Sequence, residues 1–242
     1  MSLIKIRIKK IIFLLINPKY FLIYLKYKSV PSIEHIKVTK KLKNINLLID
    51  VGANIGQFSL FAKKYLNCKK IILFEPLKDE YNKLCKLFID KDIIIHNLAL
   101  GSKKSNSTIN ITNQRDSSSI LDINSKIDES FKHIKIIKKQ IINLERLDNI
   151  LKNSDLENVN LLKIDVQGFE LQVLKGASKI LRNIKYIYIE CSEIQFYKDQ
   201  SLYSDIHKYL LKNNFIKDGE FNIQKNMNNQ VIQLDILYKN KL

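Results

Sequence analysis

The stretch 47–56 constrains the fold of this chain more than any other. It reads Leu-Leu-Ile-Asp-Val-Gly-Ala-Asn-Ile-Gly, an apolar run that ends at an acid and two closely spaced glycines, and residues 57–64 after it have a helical composition. Glycine adopts positive φ without steric cost, and asparagine tolerates the left-handed region better than most residues. The pattern therefore predicts a strand, a tight turn and a helix start. In open α/β sheets such a turn lies at the edge where ligands bind.

The spacing of the turn narrows the class of ligand. It reads Gly52-x-Asn54-x-Gly56, which differs from the G-x-G-x-x-G of dinucleotide-binding proteins, and no P-loop pattern follows. Asp50 would repel a diphosphate and favours a ligand with positive charge, such as the amino group or sulfonium of S-adenosylmethionine. We therefore expect Asp50, Gly52, Asn54 and Gly56 to contact a nucleotide-like cofactor. A purely structural turn is the alternative.

A second acid lies where the next predicted strand ends. Residues 70–74 read Lys-Ile-Ile-Leu-Phe and are followed by Glu75 and Pro76. An acid about 20 residues beyond a glycine turn is placed to accept hydrogen bonds from ribose hydroxyls. Glu75 is therefore predicted to bind the ribose of the cofactor, with an ordinary surface carboxylate as the alternative.

Apolar runs and helical patterns alternate along the chain, which predicts an α/β fold with a mostly parallel sheet and helices on both faces. Strands are predicted at 47–51, 70–74, 93–98, 160–164, 185–190 and 231–238, the last one antiparallel, and helices at 56–66, 79–89, 169–182 and 202–213. Residues 102–145 are rich in Ser, Asn, Thr and Lys and break this alternation. We expect an insertion over the ligand-binding edge, with β-like pieces near 106–112 and 138–143 and a mobile lid at 122–136.

Six short motifs follow one another in order along the chain. They are Asp-Val-Gly-Ala-Asn-Ile-Gly at 50–56, Phe-Glu-Pro at 74–76, Leu-Ala-Leu-Gly at 98–101, Ser-Ser-Ser at 117–119, Leu-Glu-Arg-Leu-Asp at 144–148 and Leu-Lys-Ile-Asp-Val-Gln-Gly-Phe-Glu at 162–170. This series resembles the FkbM family of S-adenosylmethionine-dependent methyltransferases. The resemblance covers roughly residues 45–192. It implies a class I methyltransferase fold with a seven-stranded, Rossmann-like sheet and S-adenosylmethionine as cofactor. It also implies O-methylation of a hydroxyl on a sugar, a glycan precursor or another small molecule.

Two carboxylates are candidates for the chemistry that the resemblance implies. Methyl transfer to a hydroxyl is an in-line displacement, and a group within hydrogen-bond reach is expected to remove the acceptor's proton. Asp165 ends the fourth predicted strand, so we expect it to be the base or to orient the acceptor, and also to contact the cofactor. Glu170 is the second candidate, with helix capping as the alternative because an acid in the first turn is favourable. Pro76 and Ala99 lie in two of the motifs and are expected to contact the cofactor.

Four other polar residues are candidates for contact with the acceptor. Ser117 and Ser118 lie in the predicted insertion, Gln167 follows Asp165, and Glu190 ends the fifth predicted strand. A polar loop is the alternative for the serines, and a solvated strand end is the alternative for Glu190. The sequence has no Cys/His metal-binding spacing, and its carboxylates have no diagnostic spacing for a divalent ion, so we expect no required metal.

The positive charge of the chain is concentrated at its N-terminus. The formal net charge is +17, and residues 1–43 hold eleven Lys/Arg and a single acid. Ile and Leu side chains of 1–16 form one stripe of a helical wheel flanked by bases, as in helices that lie on membranes. Residues 1–43 are therefore predicted to form a basic helical extension of a methyltransferase domain at 44–242. One alternative is that the extension attaches peripherally to an anionic inner membrane leaflet through 1–28, which would suit a lipid-linked or surface-polysaccharide acceptor. The other is that it packs on the domain or covers the substrate cleft.

Cysteine usage and sequence motifs bear on location and on competing functions. Three widely separated cysteines favour reduced thiols in a cytoplasmic protein. The uncharged run 11–17 is far shorter than the roughly 20 residues of a membrane span, and no small-residue cleavage site follows.

The basic charge suggests a nucleic-acid methyltransferase as an alternative function. The chain lacks the Asp/Asn-Pro-Pro-Tyr motif of enzymes that methylate base amino groups and the Pro-Cys motif of enzymes that methylate cytosine, which argues against a nucleic-acid partner. A catalytically silent binding protein on the same fold is the other alternative.

Overall fold

The computed structural model describes residues 3–124, 133–151 and 159–241. Its strands are β1 (Leu47–Val51), β2 (Lys70–Phe74), β3 (Ile93–His96), β4 (Ala99–Leu100), β5 (Ser105–Thr112), β6 (Ile136–Glu145), β7 (Val159–Ile164), β8 (Tyr186–Ser192), β9 (Phe215–Lys225) and β10 (Val231–Asn240). Seven of them form one sheet in the order β3-β2-β1-β7-β8-β10-β9. The first five of that order are parallel, and β10 is antiparallel to both of its neighbours. The predicted seven-stranded, mostly parallel, Rossmann-like fold is confirmed.

The α-helices of the described ranges lie between these strands and before them. They are α1 (Leu3–Leu15), α2 (Pro18–Tyr27), α3 (Gln57–Phe61), α4 (Lys78–Leu87), α5 (Leu147–Ile150), α6 (Glu170–Gly176) and α7 (Tyr203–Lys212). A 3-10 helix, Ile33–Lys40, precedes β1, and α3 continues as a π-helical turn, Ala62–Leu66. The helix predicted over 169–182 ends earlier, at Gly176, where the N–H of Ala177 bonds to the carbonyl of Leu174 in a tighter turn.

Alternate side chains of the central strands supply two cores, one on each face of the sheet. Ile49 of β1 lies in a core with Leu174 of α6 and Ile206 of α7. Leu48, one residue earlier, lies in the other core with Phe61 of α3. Successive side chains of a strand point to opposite faces, so an apolar run such as that of β1 requires helices on both sides.

The predicted insertion supplies β5 and β6 of a second, three-stranded sheet in the order β4-β6-β5, and β4 lies just before the insertion. β5 and β6 pair antiparallel, and the two β-like pieces expected near 106–112 and 138–143 lie within them. Ile109, Ile142 and Leu144 of this sheet pack with Leu77 and Ala99, which places the sheet beside the carboxyl end of β2. The lid predicted at 122–136 lies largely outside the described residues, since 125–132 are not among them.

The sequence analysis does not predict β9, an edge strand of the main sheet that pairs, among the described strands, with β10 alone. Its side chains are mostly polar and half-buried or exposed, and Asp218-Gly219 within it is typical of a turn. Edge strands commonly carry polar residues because one side of them is solvated. The pairing with β10 stabilises this segment as a strand against its local composition.

Helices α1 and α2 form a hairpin that packs on the α/β domain. The rings of Phe13 and Tyr20 join the two helices at a centroid distance of 5.4 Å. Lys64 lies against both rings, and its Nζ donates to Oδ1 of Asn17 at 2.9 Å. Within the described ranges, every helix falls short of the length and apolar character that crossing a bilayer requires.

Candidate functional site

A cavity of about 250 Å³ lies at the carboxyl ends of β1, β2 and β7, the edge at which the sequence predicts ligand binding. Three segments of the sheet edge form most of its wall, namely the turn after β1, the residues after β2 and the residues after β7. The wall includes Gly52, Ala53, Asn54, Glu75, Pro76, Leu77, Leu98, Ala99, Leu100, Asp165, Val166 and Gln167. The motifs that are far apart in sequence therefore meet around one cavity.

The turn after β1 has the predicted left-handed geometry. Gly52, Asn54 and Gly56 have φ of 80°, 50° and 82°. A Cβ on Gly52 would lie 1.9 Å from the carbonyl oxygen of Asp165, so this position needs glycine both for its φ and for its contact with the turn after β7. Gly56 packs against the ring of Phe88 and is not on the cavity wall, so the structure does not place it where it was expected to contact the cofactor.

Glu75 joins the turns that follow β1 and β2. Its Oε2 accepts the N–H of Asn54 at 2.8 Å, and its Oε1 accepts the N–H of Leu77 at 2.8 Å. The side chain is 5% exposed and contributes to the cavity wall. Burial raises the pKa of this carboxyl to about 7, although the two backbone hydrogen bonds act in the opposite direction. Glu75 is therefore a buried, titratable acceptor, not the surface carboxylate of the alternative interpretation.

The structure does not bring Asp50 to the cavity. Its side chain is fully buried, with Oδ2 accepting a hydrogen bond from Oγ of Ser59 at 2.7 Å and Oδ1 lying 3.5 Å from Nζ of Lys163. Burial raises the pKa of Asp50, and the charge of Lys163 opposes that shift. The expected direct contact with the cofactor is thus corrected. Asp50 lies beneath the turn and acts on the site through Lys163.

Asp165 presents its carboxylate to the cavity directly after β7. Oδ2 lies 3.3 Å from Nζ of Lys163, and Oδ1 accepts a hydrogen bond from Nε2 of Gln167 at 2.9 Å. Burial alone would raise the pKa of Asp165, but Lys163 and Gln167 outweigh it and hold the pKa below its usual value. Asp165 is consequently ionised at neutral pH.

Lys163 is a buried cation that the sequence analysis does not single out. Burial disfavours its charge, but Asp165 and Asp50 on either side reverse that effect and raise the pKa of Lys163 above its ordinary value. Its Nζ also lies 5.6 Å from the ring centroid of Phe58. A signal was available in the sequence, because a lysine inside the apolar run 161–164 needs a buried partner.

Gln167 connects the cavity wall to residues behind it. Its Nε2 donates to Oε2 of Glu190 at 2.9 Å as well as to Asp165, and its Oε1 accepts from the hydroxyl of Tyr197 at 3.1 Å. Burial raises the pKa of Glu190 well above its usual range, and Glu190 is not on the cavity wall. Of these two acceptor-contact candidates, Gln167 reaches the cavity and Glu190 supports it from behind.

Glu170 lies off the cavity wall, and its carboxylate bonds the turn that precedes α6. Its Oε1 accepts the N–H groups of Val166 at 3.2 Å and of Gly168 at 3.0 Å, and it is the first residue of α6. The side chain is buried, and burial raises its pKa to about 7. The structure therefore gives no support to the expected catalytic contact. It assigns Glu170 to holding the turn between β7 and α6.

Of the remaining predicted contact residues, three line the cavity and one does not. Pro76 and Ala99, predicted to contact the cofactor, and Ser118, predicted to contact the acceptor, lie on the cavity wall. Oγ of Ser118 accepts the N–H of Thr112 at 3.3 Å. Ser117 is not on this wall, and its carbonyl accepts the hydroxyl of Tyr197 at 2.9 Å.

One side of the cavity is formed by the segment before β1, which belongs to the extension 1–43 that one alternative placed over the cleft, although no individual residue of it was predicted to line the site. Ser32, Glu34 and His35 contribute to the wall. Nδ1 of His35 lies 2.9 Å from the hydroxyl of Tyr188. Burial and the charge of nearby Lys163 together lower the pKa of His35 to about 3, so the ring is neutral. The segment carries no motif, and its contacts reach across more than 150 residues of sequence.

Residues 50–217, most of the chain, match the sequence model of the methyltransferase FkbM domain. The chain belongs to the FkbM methyltransferase family. The resemblance drawn from the motifs is confirmed, and with it the methyltransferase class and S-adenosylmethionine as the cofactor.

Curated relatives are similar at lower identity. Methyltransferase sdnD of Sordaria araneosa is 28% identical over 186 residues, covering 65% of this chain and 71% of the relative. Hexuronic acid methyltransferase AglP of Haloferax volcanii is 25% identical over 147 residues, covering 60% and 55%. The 2-O-methyltransferase NoeI of Sinorhizobium fredii is 34% identical over 59 residues, covering 24% of each chain. This chain thus spans only about half of AglP and about a quarter of NoeI.

Two solved structures share the fold. Sp1610 of Streptococcus pneumoniae, in complex with S-adenosyl-L-methionine, superposes with a TM-score of 0.52 at 11% identity and covers 87% of this chain and 73% of its own. A protein from Listeria monocytogenes gives a TM-score of 0.51 at 10% identity, with coverage of 86% and 98%. At such identity the likeness establishes the class I methyltransferase fold alone.

The chemistry of the wall fits S-adenosylmethionine. Glu75 is a buried acceptor that would hold the ribose hydroxyls. Ala99, with its neighbours Leu98 and Leu100, gives an apolar wall suited to a flat aromatic base. The turn at 52–54 brings backbone close to the cavity because its glycine has no side chain.

Proposed function

We propose that this enzyme methylates a hydroxyl oxygen of a sugar or a glycan precursor. The observation that carries the proposal is the ionised carboxylate of Asp165, which faces the cavity and is fixed by Lys163 and Gln167. A hydroxyl donates a hydrogen bond to such a carboxylate, which can accept the hydroxyl proton during methyl transfer. The names of two relatives, a hexuronic acid methyltransferase and a 2-O-methyltransferase, support a sugar as the acceptor.

Asp165 would act first by positioning the acceptor. Its oxygens are held by Lys163 and Gln167, so a hydroxyl bonded to the carboxylate has few orientations. S-adenosylmethionine, when bound, supplies an electrophilic methyl group. As the acceptor oxygen bonds to that methyl carbon and the carbon–sulfur bond breaks, the carboxylate of Asp165 takes the hydroxyl proton.

The proposal is tested with methyl-labelled S-adenosylmethionine and a panel of uronic acid glycosides and neutral glycosides, each analysed before and after mild alkali. Alkali hydrolyses methyl esters of carboxylates and leaves methyl ethers of hydroxyls intact. We expect alkali-stable label on at least one glycoside. Label that alkali removes would contradict hydroxyl methylation, and label on RNA with none on any glycoside would contradict the sugar acceptor.

A further inference from the structure

We propose that α1 and α2 carry a docking face for an anionic lipid bilayer. This N-terminal face consists of apolar side chains that the fold leaves exposed, namely Ile8, Ile11, Ile12, Leu15, Ile16, Phe21, Leu22, Tyr24 and Leu25. Such residues normally pack against a core, and a concentration of them on one short hairpin marks an interaction surface. The inference does not depend on the acceptor proposed above.

The exposure of these side chains is large and follows the period of a helix. Leu15, Ile16 and Leu22 are 72%, 73% and 65% exposed. Along α1 and its end the exposed apolar residues recur at positions 8, 11, 12, 15 and 16, which lie on one stripe of a helix. The stripe predicted from the sequence therefore faces away from the protein.

The opposite side of the hairpin is attached to the catalytic domain, which fixes the direction of the face. Phe13 and Leu14 are buried, and Ile23 packs against the core that contains Phe61. Lys64 of the domain contacts the hairpin through ring contacts and a hydrogen bond. Packing on the domain and exposing an apolar face are thus compatible, and the two interpretations of this segment do not exclude each other.

The charge of the hairpin selects the occupant of the face. Residues 1–28 contain seven Lys/Arg and no Asp or Glu. Arg7, Lys19 and Lys26 are exposed beside the apolar residues, where long basic side chains reach lipid phosphates. Two copies of such a hairpin would repel each other, whereas an anionic bilayer complements both the apolar face and the bases.

The length of the helices fixes how they would lie. At a rise of about 1.5 Å per residue, α1 is about 20 Å long and α2 about 15 Å, both short of the roughly 30 Å of a hydrocarbon core. The hairpin therefore lies in the plane of the interface, with its apolar side chains among the lipid chains and its bases at the headgroups.

An ion pair connects the hairpin to the catalytic cavity. Nζ of Lys10 in α1 lies 2.9 Å from Oε1 of Glu34, and Glu34 is part of the cavity wall. Docking through the N-terminal face would hold that side of the cavity near the bilayer surface. An acceptor presented at a membrane surface would then reach it.

Co-sedimentation with vesicles tests the docking face. The full chain is mixed with vesicles of phosphatidylcholine alone or with added phosphatidylglycerol, at low and high salt. The Ile12→Asp/Leu15→Asp variant tests the face. The Ile89→Asp/Met227→Asp variant is the matched control, because its two positions are 87% and 96% exposed elsewhere and it changes the net charge equally. All four substitutions are at exposed positions, and thermal melting verifies that both variants fold.

We expect wild type and control to bind the anionic vesicles, less at high salt, and the Ile12→Asp/Leu15→Asp variant to bind at least about tenfold more weakly. Absence of binding by wild type would overturn the proposal, and so would equal loss in both variants. Light scattering without vesicles is the second measurement. A dimer that the Ile12→Asp/Leu15→Asp variant abolishes would show that a second copy covers the face, which also overturns the proposal.

Discussion

At the scale of single residues, the site depends on one buried lysine between two carboxylates. Lys163 lies 3.5 Å from Asp50 and 3.3 Å from Asp165, so one cation serves an acid beneath the turn and an acid on the cavity wall. A buried charge is tolerated only when it is paired and hydrogen-bonded. The motif at 162–170 therefore needs its lysine in order to keep Asp165 ionised.

Replacing Asp165 separates chemistry from cofactor binding. We expect Asp165→Asn to lower kcat by about 10²–10⁴-fold, because the amide cannot take the acceptor's proton. Affinity for S-adenosylhomocysteine, measured by calorimetry, should stay close to that of wild type. Glu193→Gln is the matched control, since Glu193 is an exposed carboxylate just after β8, and it should keep full turnover. Equal kcat in Asp165→Asn and wild type would refute the assigned function of this carboxylate.

The raised pKa of Glu75 leads us to expect that affinity for the cofactor depends on pH. Burial raises its pKa to about 7 in the free protein, and ribose hydroxyls that donate to it favour the ionised form. Affinity for S-adenosylhomocysteine should therefore rise as pH increases from about 6 to about 8, with proton release on binding below pH 7. In Glu75→Gln this rise should disappear.

Glu170 provides the control for that pH dependence. Burial raises its pKa to about 7 as well, but it lies off the cavity wall. Glu170→Gln should therefore keep the rise in affinity seen in wild type. If Glu170→Gln abolished the rise and Glu75→Gln preserved it, the ribose contact would be assigned to the wrong acid.

The sequence predicted which residues would line the cavity at some positions and not at others. The motifs identify Gly52, Glu75 and Asp165 because each lies at a strand end whose position the pattern fixes. They do not reveal that Asp50 points away from the cavity, since Ser59 and Lys163 decide that orientation in three dimensions.

At the scale of elements, the close contact between the turns after β1 and β7 determines the cavity. The N–H of Asp165 donates to the carbonyl of Val51 at 3.1 Å, and the missing side chain of Gly52 permits this approach. The two strands carry the most specific motifs of the chain, so their pairing brings the glycine turn after β1 and the carboxylate of Asp165 together. These elements are predictable because both are apolar runs that end in glycine-containing turns.

Gly52→Ala tests this contact. A Cβ at this position would lie 1.9 Å from a backbone carbonyl oxygen at a φ of 80°, so the turns must separate. We expect a loss of about 1–3 kcal/mol in the free energy of unfolding, measured in urea, together with loss of S-adenosylhomocysteine binding. Gly219→Ala is the control, because its nearest neighbour would be the side chain of Phe221 at 3.1 Å, and it should bind normally. Normal binding by a stable Gly52→Ala variant would contradict the account of the turn.

Other elements depend on partners that local sequence does not reveal. β9 is polar and contains a turn-like Asp-Gly pair, and it forms because β10 offers a free edge. Helix α6 is shorter than its pattern because Arg146 binds the carbonyl of Lys175 and the side chain of Ser178, which holds the end of the helix. Both differences from the prediction arise from tertiary contacts.

At the scale of the whole molecule, the strongly basic segment and the methyltransferase motifs occupy different parts of the sequence. Residues 1–43 carry a net charge of +10 of the total of +17, and the methyltransferase motifs begin at residue 50. The fold reconnects the two regions, since Ser32, Glu34 and His35 complete the cavity wall. Alternating patterns predicted six strands of the main sheet, and the family resemblance implied its seven-stranded form. The contribution of the segment before β1 to the site depends on contacts between residues that are far apart in sequence.

Calorimetric titration of S-adenosylhomocysteine into the full chain tests the central claim most directly, which is that the cavity between 52–54, Glu75 and Asp165 is the cofactor site. We predict micromolar affinity for wild type, a loss of at least about tenfold in Glu75→Ala, equivalent to about 1.4 kcal/mol, and retained affinity in Asp165→Asn. No binding to a folded wild-type sample, or affinity unchanged in Glu75→Ala, would contradict the account.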